Sequence, residues 1–212
     1  MNCYFDALPN SGRVKDDVSA FLTAADKIGT LTHTRQVMLQ TRLLAAQFGE
    51  SPAEDMKRAA LAAWCHDLAA VVPPEQVIAV AERWEVPLTD ADRAVPAILH
   101  GPIAAAVVAG RLGVDDEDVL NAIRYHSTLR AGASTLEKIV FVADKLALDP
   151  TSPCADFLPD LQAAHAEGLD AMARVYLDWV LNHGPALGWT VHPHVAAAHA
   201  ELSAPVAEET EG

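Results

Sequence analysis

The sequence predicts an all-α chain, and three observations carry that prediction. Apolar residues recur at helical spacing nearly throughout, no stretch alternates apolar and polar as a half-buried strand would, and the breaks fall at Gly, Pro or capping Ser and Asp residues. In order, residues 32–48 carry Val37, Leu39, Leu43, Leu44 and Phe48 and stop at Gly49, a helix-ending residue. Ser51, Pro52 and Glu54 read as the N-cap, first and third positions of a helix running to Leu68, in which Leu61, Trp64, Cys65 and Leu68 make one buried face. Pro73, Pro74 and Glu75 open a helix to about Trp84, and residues 102–112 form an Ala/Val-rich helix closed by Gly113. Asp115, Asp116, Glu117 and Asp118 put negative charge where a helix start favours it, and that helix carries Leu120 and Ile123 up to His126. Ser134 with Glu137 makes a capping box ahead of Leu136, Ile139, Val140, Ala143 and Leu146. After Pro150, Pro153 and Pro159, one long helix covers about 161–182 and ends before Gly184 and Pro185, and residues 194–202 form a last short helix.

The 212 residues fit a single domain, with an N-terminal extension and helix over 1–30, the helical domain over 31–202 and an acidic tail over 203–212. At 51% hydrophobic and 21% charged, the chain is globular rather than disordered. Fifteen Lys+Arg against 29 Asp+Glu leave a charge of −14, which excludes non-specific nucleic-acid binding. The most apolar stretch, 97–110, is interrupted by His100, Gly101 and Pro102, so no membrane span is expected. The first residues lack a charged-then-apolar leader, and a cytoplasmic location is the expectation. Cys3, Cys65 and Cys154 make neither a disulfide framework nor a CxxC motif and are expected as reduced thiols.

Nine histidines are many for an acidic chain, and their placement matters more than their number. His33, His66, Asp67, His100, His126 and Asp144 each lie within or at the end of an apolar helix, where an unpartnered polar group is costly. Singly, each reads as a satisfied core residue or a cap. Jointly, four imidazoles and two carboxylates on five helices are the inventory of a site for iron, manganese, zinc or nickel. Neighbours on a regular helix point about 100° apart, so His66 and Asp67 share a metal only where the helix ends or bends, or where Asp67 bridges to a second ion. A Cys65 nucleophile, a cluster of His192, His194 and His199, and a calcium loop at residues 115–118 are discounted on spacing. Trp84, Trp179 and Trp189 read as core or edge packing, with stacking on an adenine base left open.

The order H…HD…H…H…D resembles the HD-domain metal-dependent phosphohydrolase superfamily. The strings ILHGP (98–102), AIRYHST (122–128), LEKIVFVADK (136–145) and HP (192–193) are similar to its YqeK-like branch, the symmetrical diadenosine tetraphosphate hydrolases, over residues 30–202. That resemblance implies an HD-type helical bundle with two divalent ions, iron first and manganese as the alternative. It implies His33, His66, Asp67 and Asp144 on one ion and His100 and His126 on the other, with Asp67 bridging. Asp67, His100 and His126 would then be catalytic, and Gly101, Arg130 and Lys145 would lie beside the substrate. The implied reaction splits diadenosine tetraphosphate into two ADP by a hydroxide between the ions. Two ions and two carboxylates leave about +2, an anion trap inside an acidic protein. The implied partner is a small nucleotide, not nucleic acid or membrane, with a homodimer left open. Another nucleotide or small phosphoester, an oxygen-activating di-iron site and a metal-binding module without catalysis are the alternatives. The sequence departs from the branch where Ala70 replaces a lysine in HDLAA, where Leu129 replaces a glycine, and after Lys145, where LALDP lacks a second basic residue.

Overall fold

The structure is a computed structural model and describes residues 4–152 and 154–204. Among these residues it is all-α, without a strand. The helices are α1 (Val14–Ala24), α2 (Ile28–Phe48), α3 (Pro52–Cys65), α4 (Val77–Arg83), α5 (Asp90–Ala94), α6 (His100–Leu112), α7 (Glu117–Arg124), α8 (Thr135–Leu146), α9 (Leu158–Ala163), α10 (Leu169–His183) and α11 (Pro193–Leu202).

α8 is apolar on every side, and Ile139, Val140, Phe141, Val142 and Ala143 are wholly buried. A helix of that kind has to be surrounded. α2, α3 and α7 pack on it from one side and α10 from another, with α11 laid against α10 and α6 against α7. Its start is set by the expected capping box: Glu137 N donates to Ser134 Oγ and Ser134 N to Glu137 Oε1, both at 3.1 Å. α7 is capped by Asp116, whose Oδ1 accepts from the backbone of Asp118 and Val119. Arg58 on α3 donates to Asp116 at 2.7 and 2.8 Å and to Asp118 at 3.0 Å, so the acidic run is a helix start with its own counter-charge.

Four expectations are corrected. The long helix at 161–182 is two, because Gly168 adopts φ 108° between α9 and α10, a conformation only glycine takes easily. α3 ends at Cys65 instead of Leu68, and a separate 3-10 turn follows over Leu68–Val71. Ser51 makes no side-chain cap, and its N–H goes to Asp55 Oδ2 at 2.9 Å rather than to Glu54. In α2, Val37 and Leu44 are buried, whereas Leu39 (57% exposed) and Leu43 (66%) face outward, so the buried stripe is narrower than the apolar composition. α5 was not expected, although Thr89 and Asp92 form a complete capping box at its start. Within the expected N-terminal segment, α1 is the helix, and α2 already begins at Ile28. The expected acidic tail lies outside the described residues from position 205 onward.

Leu129 closes the turn after α7 with φ 55°, left-handed for a residue with a Cβ, and its side chain is completely buried. Glycine there would relieve about 1–2 kcal/mol of backbone strain. It would also remove a buried side chain whose truncation to Ala costs about 2–5 kcal/mol. Burial wins, so Leu129→Gly is expected to lower the unfolding free energy by roughly 1–3 kcal/mol in urea titration. A more stable variant would show that strain dominates.

Candidate metal centre

The residues that converge do so because helices end beside them. α3 stops at Cys65, and Asp67 leaves helical geometry at φ −100°, ψ 16°. That break lets the adjacent His66 and Asp67 turn to one point. His126 follows the last turn of α7, and His100 stands where the 3-10 turn Pro96–Leu99 passes into α6. Each ring uses Nδ1–H on the carbonyl three residues earlier: His66 on Ala63 (2.8 Å), His100 on Ala97 (2.7 Å) and His126 on Ile123 (2.8 Å). With Nδ1 donating, the three Nε2 atoms are left as lone-pair acceptors in the neutral ring.

Those acceptors face one another. His100 Nε2 and His126 Nε2 are 2.9 Å apart, and Asp67 Oδ1 lies 3.4 and 3.7 Å from them. Asp67 Oδ2 is 3.5 Å from His66 Nε2, a buried atom without a hydrogen-bond partner. On the far side Asp144 Oδ1 sits 2.8 Å from His33 Nε2 and 3.7 Å from His66 Nε2. Two sets have all their ligand atoms within 4.8 Å of one another: His33, His66 and Asp144, and His66, Asp67 and His126. Two lone pairs at 2.9 Å repel unless a proton or a cation stands between them, and the orphaned His66 nitrogen is costly unless it is bound. This donor set of neutral imidazoles and carboxylates fits a divalent metal ion.

The two carboxylates and His126 agree with that donor set, whereas Asp67 draws His66 and His100 towards their charged forms. Burial opposes the charge on Asp67, but His66 and His100 hold its carboxyl well below the usual range. Burial also opposes ionisation of Asp144, yet Lys145, His33 and His66 hold it low. Burial and the nearby His100 and His66 push His126 down to about 3, a neutral ring at every working pH. His66 is moved the other way: burial disfavours its charge, but Asp67 and Asp144 outweigh that and raise it to about 9.

A family model described as HD domain matches residues 30–149, from α2 through the end of α8. The chain belongs to the HD domain family. It is 38% identical over 124 residues, 58% of its length, to the Bacillus subtilis protein named symmetrical bis(5'-nucleosyl)-tetraphosphatase, and spans 64% of that protein. It is 30% identical over 145 residues, 68% of its length, to an uncharacterized Lactococcus lactis protein, spanning 72% of it. Its fold is similar to a Clostridium acetobutylicum crystal structure described as a predicted HD superfamily hydrolase involved in NAD metabolism. That likeness has a TM-score of 0.78 at 28% identity, covering 88% of this chain and 95% of the other.

Around this HD domain centre, three expected substrate residues have other surroundings. Gly101 is buried, and a Cβ on it would stand 2.7 Å from Arg124 O, 3.0 Å from Ile123 O and 3.3 Å from His126 Cε1. It is a point where α6 closes on α7. Arg130 donates from Nε and Nη2 to the buried Glu137, at 2.8 and 2.6 Å. Lys145 is buried, bonded to Asp144 Oδ2 and to the His126 carbonyl at 3.2 Å, so it braces two members of the cluster. Ser127 is the residue that sequence reasoning passed over: its Oγ is 3.1 Å from His126 Nε2 and 3.4 Å from His100 Nε2. Its position directly after His126 was the only signal.

The remaining histidines do not assemble. His199 pairs with Asp178 at 2.6 Å, and His192 and His194 stand ring to ring at 4.7 Å near Asp92. Cys65 is fully buried and its thiol is pushed up to about 12, as expected of an inert core residue. Among the described residues no helix is long and apolar enough to cross a membrane.

Proposed function

We propose that this chain is a metal-dependent phosphohydrolase acting on nucleotides, with symmetrical hydrolysis of diadenosine tetraphosphate to two ADP as the reaction. The observation that supports it is the convergence of three acceptor Nε2 atoms on two ionised carboxylates. The name of the Bacillus relative supports the substrate. In this reading His33, His66 and Asp144 would hold one ion, His100 and His126 a second, and Asp67 would lie between them. Iron is the first expectation and manganese the second, since imidazole and carboxylate suit both. Bound divalent ions supply charge against the phosphate oxygens and a more acidic water.

The chain's own part is positional. Backbone carbonyls of Ala63, Ala97 and Ile123 fix the three rings in one tautomer. Lys145 braces Asp144, and Ser127 offers a hydroxyl at the edge of the cluster. Among the described residues, the two cavities that His100 lines carry no Lys or Arg, and in this reading the metal centre meets the phosphate charge. In this reading Asp67, His100 and His126 take the catalytic roles, beside Arg130, which is paired with Glu137, and Lys145, which is paired with Asp144.

The test is metal analysis of the purified chain with a panel of phosphate esters, under iron without oxygen and under manganese. ADP as the sole product of diadenosine tetraphosphate is the expected result. AMP with ATP would overturn the symmetrical reaction, and metal bound without turnover of any ester would favour a non-catalytic module.

A further inference from the structure

Among the described residues, two cavities are lined by His100, and they differ in chemistry. One, of about 560 Å³, is bounded by Asp67, His100 and small or aliphatic side chains such as Ala70, Val72 and Val77, with no aromatic ring besides the imidazole. The other, of about 340 Å³, lies across the 3-10 turn Pro96–Leu99, and Ala97 and His100 line both. Its walls include Ile98, Val180, Val191 and the aromatic Tyr176 and Trp189, and Ser127, Thr128 and Thr190 add hydroxyls. That volume is at the small end of the range of about 300–1,000 Å³ for ligand sites.

Trp189 is the unusual feature of this wall. It is 42% exposed, although its neighbours Tyr176, Trp179 and Val180 are largely covered. Trp179 holds it from one side, ring centres 5.7 Å apart at 66°, and is itself anchored by an Nε1–H bond to Asp156 at 2.6 Å. One side of the indole is therefore fixed, while the ring remains open beside an apolar cavity that runs to His100. A flat heterocycle is the ligand that such a wall suits, because an aromatic face stacks on any base and hydroxyls reach its polar edge.

We infer that this cavity is a nucleobase pocket, in which Trp189 stacks on the base of the nucleotide whose phosphates reach the metal centre. The inference rests on the nucleotide reading of the site and deepens it: one base is gripped by stacking, and the wider aliphatic cavity accepts the other end of the substrate without an aromatic partner.

Calorimetric titration of the metal-loaded chain with ADP and, separately, with inorganic tripolyphosphate separates base from phosphate binding. Trp189→Ala is expected to weaken ADP by about tenfold or more and to leave tripolyphosphate unchanged. Trp189→Phe, which keeps an aromatic face, should recover most of the loss. Equal weakening of both probes or unchanged ADP binding would overturn the pocket. The two readings fail separately. A wild-type chain that hydrolyses no nucleotide while Trp189→Ala selectively loses ADP would sink the hydrolase and keep the pocket. Normal turnover with ADP binding indifferent to Trp189 would do the reverse.

Discussion

Asp67→Ala is expected to lose metal and activity together. The carboxylate lies 3.5 Å from His66 on one side and 3.4 and 3.7 Å from His100 and His126 on the other, so together with His66 it links the two halves of the cluster. Removing it takes the carboxylate charge out of a donor set that otherwise faces it with three imidazoles. Loss of a charged ligand worth several kcal/mol corresponds to at least a hundredfold in rate. Asp67→Asn, of the same size, should behave nearly as badly, because charge rather than volume is what the site loses. Metal content measured beside helical circular dichroism distinguishes a ligand defect from unfolding. Full metal occupancy in either variant would remove Asp67 from the site.

Gly101→Ala should damage the same centre without touching a ligand. The added methyl would stand 2.7 Å from Arg124 O and 3.0 Å from Ile123 O, and both are backbone atoms that no side-chain rotation can move aside. Ile123 O is also the acceptor that orients His126 through Nδ1. Pushing the end of α7 away therefore misdirects His126 relative to His100, whose Nε2 lies 2.9 Å from its own. Overpacking of this kind costs about 1–3 kcal/mol, a fall of roughly 2–12 °C in Tm for a chain of this size. Turnover should fall by about tenfold or more, since misplacement of about 1 Å is enough for that. A variant with native Tm and native rate would show that α6 and α7 have room to separate.

What could be read from the chain and what could not divides along range. Local signals were reliable where both partners lie within four residues: the Ser134–Glu137 box and the Gly113 stop, at φ 70°, occur as expected. They failed where two signals competed. Gly168 interrupts an otherwise periodic stretch, and Asp55 takes the N–H of Ser51 in place of Glu54. The six His and Asp residues stood out because a polar group in an apolar helix needs a reason, and that holds whatever the fold. The pairing of Arg130 with Glu137 and of Lys145 with Asp144 was not legible in the same way, because it depends on where a side chain reaches and not on residue type alone.

By itself the sequence determined the helical class, most helix starts and stops, and the chemical inventory of the centre, because these depend on periodicity, capping and residue type. Only the tertiary structure decided which atoms of that inventory face one another. The tautomers of His66, His100 and His126 come from the backbone carbonyls three residues before each, which accept Nδ1–H. The close approach of α6 to α7 at Gly101, and the cavity that brings Trp189 on one segment beside His100 on another, join residues 22 to 89 positions apart. Contacts at such separations depend on how the helices pack around α8, and no local pattern encodes the angle at which two helices meet.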